Sequence, residues 1–249
     1  MKRSAFFFSL VVAVVFSLMA GPVLAEDSFI NGIDANFPPF AYVDKSGTPA
    51  GFDVEAVNWI AKEMGFKVTH QPMDWDGIIP NLVAKKIDFI ASGMTATDER
   101  AKVVNFTDTY WDVAQVMLVG KDSKLTVDDV LKGGKKIGVQ RGTTEATWLE
   151  EHAGKDGANY TLVYYDSAPL SVEDMVNGRV DACCMDDAPA RDAEKNKSVK
   201  ILGEFGMKAE HFAYAVRKED TKLLETLNAG LKKLKASPKW QELIDKYKP

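Results

Sequence analysis

The sequence predicts an α/β protein of two lobes, on three observations. Short apolar runs alternate with amphipathic stretches along the 249 residues, this β-α-β-α cycle occurs twice, and no Gly/Ser-rich linker separates the two cycles. Each lobe is expected to hold a mostly parallel or mixed sheet flanked by helices. Without a flexible linker, ordered strands must join the lobes, with Val113 to Val119 as one crossing and Phe212 to Val216 as the return. Composition agrees: 46% hydrophobic and 27% charged residues describe a chain that buries a sizeable core rather than a disordered or collagen-like one.

Residues 1–25 stand apart. Lys2 and Arg3 precede an apolar run from Phe6 to Ala20, and Gly21-Pro22-Val23-Leu24-Ala25 breaks it with small residues before Glu26. This is the pattern of a secretory signal, with cleavage expected after Ala25. The run is about 15 residues, short of the roughly 20 that span a bilayer. Cleavage would remove Lys2 and Arg3 and leave 29 basic against 36 acidic residues, a charge of −7. No Cys follows the run for lipid attachment, so a soluble periplasmic protein is expected. An acidic chain without a Lys/Arg stripe is poorly suited to a phosphate backbone, so no nucleic acid partner is expected.

The first cycle starts with a strand at Phe29 to Asp34. Gly51-Phe52-Asp53 opens a helix that carries Val54, Val57, Ile60, Ala61 and Met64 on one face, and Gly65 stops it. Phe66 to His70 alternates as a strand, Gly77 to Lys85 reads as a short helix, Ile87 to Ala91 as a strand, and Thr97 caps a further helix. In the second cycle, Thr126-Val127-Asp128-Asp129 starts a helix as a capping box. Lys136 to Val139 is a strand, Thr144 to His152 a helix, Thr161 to Tyr165 a strand and Ser171 to Asn177 a helix. Val180 to Met185 is a strand, Ala188 to Glu194 a helix and Val199 to Leu202 a strand. Two helices close the chain, Asp220 to Leu234 and one that Ser237-Pro238 begins.

Ligands of open α/β sheets sit at the carboxyl ends of strands, which directs attention to four segments. Asp34 and Phe37 follow the first strand, with Pro38-Pro39 stiffening the loop. Ser92, Gly93 and Thr95 follow the strand ending at Ala91, and Arg100 lies in the first turn of the next helix, where a cation opposes the helix dipole and calls for an anion. Its planar fork suits a carboxylate. Gln140-Arg141-Gly142-Thr143-Thr144 joins a strand to a helix and turns N–H groups and hydroxyls beyond the sheet. Asp187 is expected to cap the helix at Ala188, which leaves Asp186 to meet a cation. One lobe thus offers an anion receptor and the other a cation receptor, a pair that suits the zwitterion of an α-amino acid.

Several chemistries find no support. Gly-x-x-x-x-Gly-Lys, Gly-x-Gly-x-x-Gly and Gly-x-Ser-x-Gly are all missing from the sequence. Cys183 and Cys184 are neighbours, a poor geometry for a bridge, and read as buried strand residues. His70, His152 and His211 are scattered without a ligand pattern, so neither a metal nor a cofactor is expected.

The order Phe37-Pro38-Pro39-Phe40, Gly51-Phe52-Asp53-Val54-Glu55, Ile87-Asp88-Phe89-Ile90, Gly93-Met94-Thr95-Ala96-Thr97-Asp98-Glu99-Arg100, Phe106-Thr107-Asp108 and Gly142-Thr143-Thr144, with Gly178-Arg179-Val180-Asp181-Ala182 before Asp186, resembles the periplasmic amino-acid-binding proteins of ABC importers, solute-binding family 3. The resemblance covers essentially the whole chain after the leader. It implies the type II periplasmic binding protein fold, with lobe 1 over 26–112, lobe 2 over 113–212 and a return to lobe 1 over 213–249. It also implies Arg100 on an α-carboxylate, Asp186 on an α-ammonium, and hydrogen bonds from Gly93, Thr95, Thr143 and Thr144. Met94 is counted in the site with its neighbours. Phe37 and Trp75 would sandwich the side chain and Asp34 would meet its polar end. Gln140 stands where side-chain selectivity is often set. The implied partners are a free polar or cationic L-amino acid, of the glutamine or arginine, lysine and histidine type, and an inner-membrane permease, with the protein a monomer. The alternative that the resemblance also reaches is a periplasmic cyclohexadienyl dehydratase, with Glu145 or Asp34 as its acid or base. A sensor domain of a receptor kinase is disfavoured because no spanning helix follows.

Overall fold

The computed structural model describes residues 27–248; the expected leader falls outside the described residues. Strand β1 (Ser28–Ile33) runs into a small antiparallel sheet of β2 (Asn36–Phe37), β3 (Ala41–Val43) and β4 (Pro49–Ala50). Helix α1 (Phe52–Met64) buries Phe52, Val54, Val57, Ile60 and Ala61, and Gly65 ends it in the left-handed conformation, as its apolar spacing and terminal glycine predict. β5 (Lys67–Pro72), α2 (Ile78–Val83), β6 (Phe89–Ile90), the single turn α3 (Asp98–Ala101) and β7 (Val104–Phe106) follow. Thr97 caps α3 by accepting from Arg100 N.

β8 (Trp111–Val113) then leaves this lobe and β9 (Gln115–Gly120) enters the next. There α4 (Val127–Lys132) begins with the capping box expected at Thr126 and Asp129. It is followed by β10 (Lys135–Gln140), α5 (Thr144–His152), β11 (Tyr160–Tyr165), α6 (Ala168–Val176), β12 (Ala182–Asp186), α7 (Asp187–Asn196) and β13 (Val199–Glu204). β14 (Glu210–Phe212) pairs antiparallel with β8, so two adjacent strands join the lobes. β15 (Ala215–Arg217), α8 (Thr221–Lys235) and α9 (Pro238–Tyr247) complete the first lobe.

Both five-stranded sheets are mixed. The first has the order β5-β1-β6-β15-β7, with β1 parallel to β5 and β6, and β15 antiparallel to its neighbours. The second has the order β11-β10-β12-β9-β13, with β10 parallel to β11 and β12, and β9 antiparallel to β12 and β13. α1 packs against α8 and α9 on one face of the first sheet, through Val57, Ile60, Leu227, Leu231 and Leu243. The two faces of the second sheet bury separate clusters. Cys183 and Met185 lie in one and Ala182 and Cys184 in the other, as strand alternation requires. The two cysteines therefore face opposite sides of β12, and both are free thiols.

Four elements differ from expectation. The crossing read over Val113 to Val119 breaks at Ala114: β8 pairs with β14 as the joining strand, and β9 belongs to the second sheet. α6 starts at Ala168 rather than Ser171, because Pro169 takes a first-turn position where its missing N–H costs nothing. The strand read over Phe212 to Val216 is divided: Ala213 N donates to Met94 O and Tyr214 N to Thr107 Oγ1, so the chain changes partners between β14 and β15. Asp187 does not cap. It is the first residue of α7, and its carboxylate lies toward Arg191 at 3.6 Å.

Candidate functional site

Four strand ends converge between the lobes. Asp34 follows β1, Ser92, Gly93 and Thr95 follow β6, Gln140 ends β10 and Asp186 ends β12. Together with Phe37, Trp75, Arg100, Thr143, Thr144 and Glu145, they line one cleft. Of the residues singled out from the sequence, the structure brings Asp34, Phe37, Trp75, Gly93, Thr95, Arg100, Gln140, Thr143, Thr144 and Asp186 to this cleft. Met94 is the correction. Its side chain is fully buried among Ile78, Leu82, Ile90 and Val104, so in the loop after β6 Met94 turns into the core while Gly93 and Thr95 on either side face the cleft.

Arg100 spreads its fork across the lobes, donating from Nη1 to Thr95 O at 2.9 Å and from Nη2 to Gly142 O at 3.0 Å. Its guanidinium also lies over the Trp75 ring, 5.5 Å from the centroid, and Trp75 Nε1 donates to the same Gly142 carbonyl at 3.2 Å. Glu99, a conceivable partner for Arg100, pairs instead with Lys102. Burial lowers the Arg100 pKa, while Glu145, Glu210 and Asp186 favour its charge. Gly142 adopts φ +72, and a Cβ there would come within 3.3 Å of Asp76 Cα, so glycine permits this close approach of the two lobes. Gly93, at φ +58, leaves room for the Phe37 ring, which a Cβ would meet at 2.4 Å.

The opposite wall is acidic. Asp186 accepts from Gln115 Nε2 at 3.0 Å, and the same amide donates to Glu210 Oε2 at 3.1 Å. Thr144 Oγ1 also donates to Glu210. Burial raises the Asp186 pKa well above the carboxylate range, and the neighbouring Glu145 adds to the effect. Burial likewise raises Glu145. Such a wall favours a cation that restores both charges. Asp186 thus has a structural partner in Gln115 that sequence reading did not assign. Glu210 was also missed, since it lies on a joining strand and no local pattern marks it.

Asp34 is buried, accepts from Asn36 N at 2.9 Å, and takes Gln140 Nε2 from the other lobe at 2.8 Å. Burial raises its pKa, and the Gln140 bond opposes the rise. Asp34 N in turn donates to Ser92 Oγ, tying two of the four strand ends together. Among the described residues no three His, Cys, Asp or Glu side chains are grouped to hold a metal, and no helix is long and apolar enough to cross a membrane.

Two mixed α/β sheets, joined by two adjacent strands with a charged cleft between them, define a type II periplasmic binding protein fold. Residues 29–249 match the bacterial extracellular solute-binding proteins, family 3, and the chain belongs to this family of binding proteins. It is 33% identical over 219 residues to a probable histidine-binding protein of Neisseria gonorrhoeae, covering 86% of this chain and 80% of that one. It is 32% identical over 248 residues to an L-arginine-binding protein of Pseudomonas aeruginosa, covering 96% and 95%. Among solved structures, an ancestral arginine-binding protein bound to arginine is 37% identical, with a TM-score of 0.81 over 89% of this chain and 98% of that one.

Proposed function

We propose that the protein captures a cationic or polar L-amino acid, arginine foremost, between its lobes and delivers it to an inner-membrane permease of an ABC importer. The observation that carries this reading is the placement of Arg100 and the Asp186 wall in one cleft, with Asp34 also lining it. An α-carboxylate would take the fork of Arg100 with the Thr143 and Thr144 groups, and an α-ammonium would meet Asp186. The side chain would lie between Phe37 and Trp75, with its donors toward Asp34. A planar guanidinium stacks on aromatic rings and satisfies a carboxylate at once, which favours arginine over lysine. Relatives whose names specify arginine or histidine support the same class.

The proposal includes export to the periplasm with cleavage after Ala25, a monomeric product, and lobes divided at 112/113 and 212/213. Mass spectrometry of the exported protein tests the cleavage. A thermal-shift screen against the twenty amino acids tests the ligand. Arginine at 100 times its dissociation constant is expected to add roughly 2.7 kcal/mol, a rise of about 5 to 10 °C. Glutamate or leucine as the tightest ligand would overturn the assignment.

A further inference from the structure

Asp53 lies in the first turn of α1 and is fully buried. One of its oxygens, Oδ2, accepts from Gly93 N at 2.7 Å and from Tyr110 Oη at 2.8 Å, while Oδ1 has no hydrogen-bond partner. The groups that face it are the Gly93 N–H and the hydroxyls of Tyr110 and Tyr214, and none of them is a cation. A carboxylate buried in this way carries a large desolvation cost that an apolar residue would avoid. Its two bonds go to functionally placed groups. Gly93 lines the cleft in the left-handed conformation. Tyr110 immediately precedes β8, its ring lies 4.9 Å from that of Tyr214, and Tyr214 closely follows β14.

We propose that Asp53 is a positioning residue for ligand capture, holding the Gly93 peptide in its cleft-lining orientation and tying it, through Tyr110 and Tyr214, to the two strands that join the lobes. The Ser92–Gly93 peptide is planar, so drawing Gly93 N–H inward to Asp53 turns the Ser92 carbonyl the opposite way. Ser92 and Thr95 on either side carry the contacts to Asp34 and Arg100, so a rotated Gly93 peptide would disturb both receptors together. Burial pushes the Asp53 carboxyl up to about 7, with the bonds from Tyr110 and Gly93 opposing the rise, so its charge changes near neutral pH.

The inference rests on the amino-acid-binding reading, and the test separates the two. Calorimetry with L-arginine would compare the wild type with Asp53→Leu, Asp53→Asn and Arg100→Ala. Asp53→Leu is expected to lose about tenfold or more in affinity, and Asp53→Asn, which keeps one acceptor oxygen, to recover most of it. By NMR, the Gly93 amide proton of the ligand-free wild type is expected to titrate with a midpoint near pH 7, and in Asp53→Asn not to titrate there. The second readout stands even where Asp53→Leu does not fold. A folded Asp53→Leu protein that binds like the wild type, or a Gly93 amide that titrates identically in wild type and Asp53→Asn, overturns the positioning role. Undiminished binding by Arg100→Ala overturns the site reading instead.

Discussion

Gln140 Nε2 donates to Asp34 Oδ2 over 2.8 Å, so the end of a strand in one lobe holds the buried carboxylate at the end of a strand in the other. This contact bridges the cleft where the side chain of a bound amino acid is proposed to lie. A guanidinium would compete with Gln140 for Asp34 and, being charged, would offset the desolvation that raises the Asp34 pKa. Hydrogen bonds to charged groups contribute about 1.5–3 kcal/mol. Asp34→Asn is therefore expected to weaken arginine about 10- to 150-fold and glutamine less than about threefold, read by competition binding. Equal losses for both ligands would mean that Asp34 serves the fold and not selectivity.

Arg100→Ala is expected to cost about 2–5 kcal/mol of arginine binding, roughly 30- to several thousand-fold, because the change leaves the ligand carboxylate desolvated and unpaired. Arg100→Lys keeps the charge and loses the fork that reaches Thr95 O and Gly142 O together, so it should fall between alanine and wild type. Titration calorimetry decides this, and a loss under about tenfold for alanine would contradict the role.

Two contacts between the lobes converge on one backbone group, the Gly142 carbonyl, which accepts from Arg100 and from Trp75. Gly142→Ala places a Cβ against Asp76 Cα and strains a residue at φ +72, at a cost on the order of 1–2 kcal/mol. Because the obstruction lies between the lobes, ligand affinity should fall about tenfold while each lobe keeps its fold. Small-angle scattering with saturating arginine should show a larger radius of gyration for the variant than for the wild type. Identical values would show that the contact does not limit closure.

The elements legible in the sequence were those that local chemistry dictates. α1 followed from its apolar spacing and Gly65, α4 from Thr126 and Asp129, and α5 from the turn at Gly142 to Thr144. The cleft residues at strand ends followed from the same logic, since an α/β sheet places its loops there. Met94 was misplaced because a loop sequence does not reveal which of three consecutive side chains turns inward. Glu210, Gln115 and the Asp53–Gly93 bond were invisible for a different reason: the cleft and buried partners are about 40 to 95 positions apart, and only the packed sheets bring them together. Asp187 was expected to cap α7, but the helix begins one residue earlier and turns it toward Arg191.

Acid should destabilise the fold through His70. Its Nδ1 lies 3.0 Å from Asn31 Nδ2 and its Nε2 lies 3.0 Å from Asn58 Oδ1, which fits a neutral ring accepting at Nδ1 and donating at Nε2. Asn31 in turn accepts from Ala91 N, so the ring supports the strand end that leads to Ser92 and Gly93. Burial lowers the His70 pKa to about 4, against 6.5 for the free side chain. Between these values the unfolded chain binds a proton that the native ring refuses. The contribution is therefore fully present above pH 6.5 and is lost as pH falls toward 4. Asp53 works in the opposite direction, since its pKa is raised to about 7 and the native state holds the extra proton, which favours the fold as pH falls. The two are separated by mutation rather than by the wild-type curve. His70→Gln is expected to lower the urea midpoint at pH 7.5, with the gap to wild type narrowing between pH 6.5 and 5 as the solution becomes more acidic. A gap that stays constant over this range would show that His70 does not titrate as its burial requires.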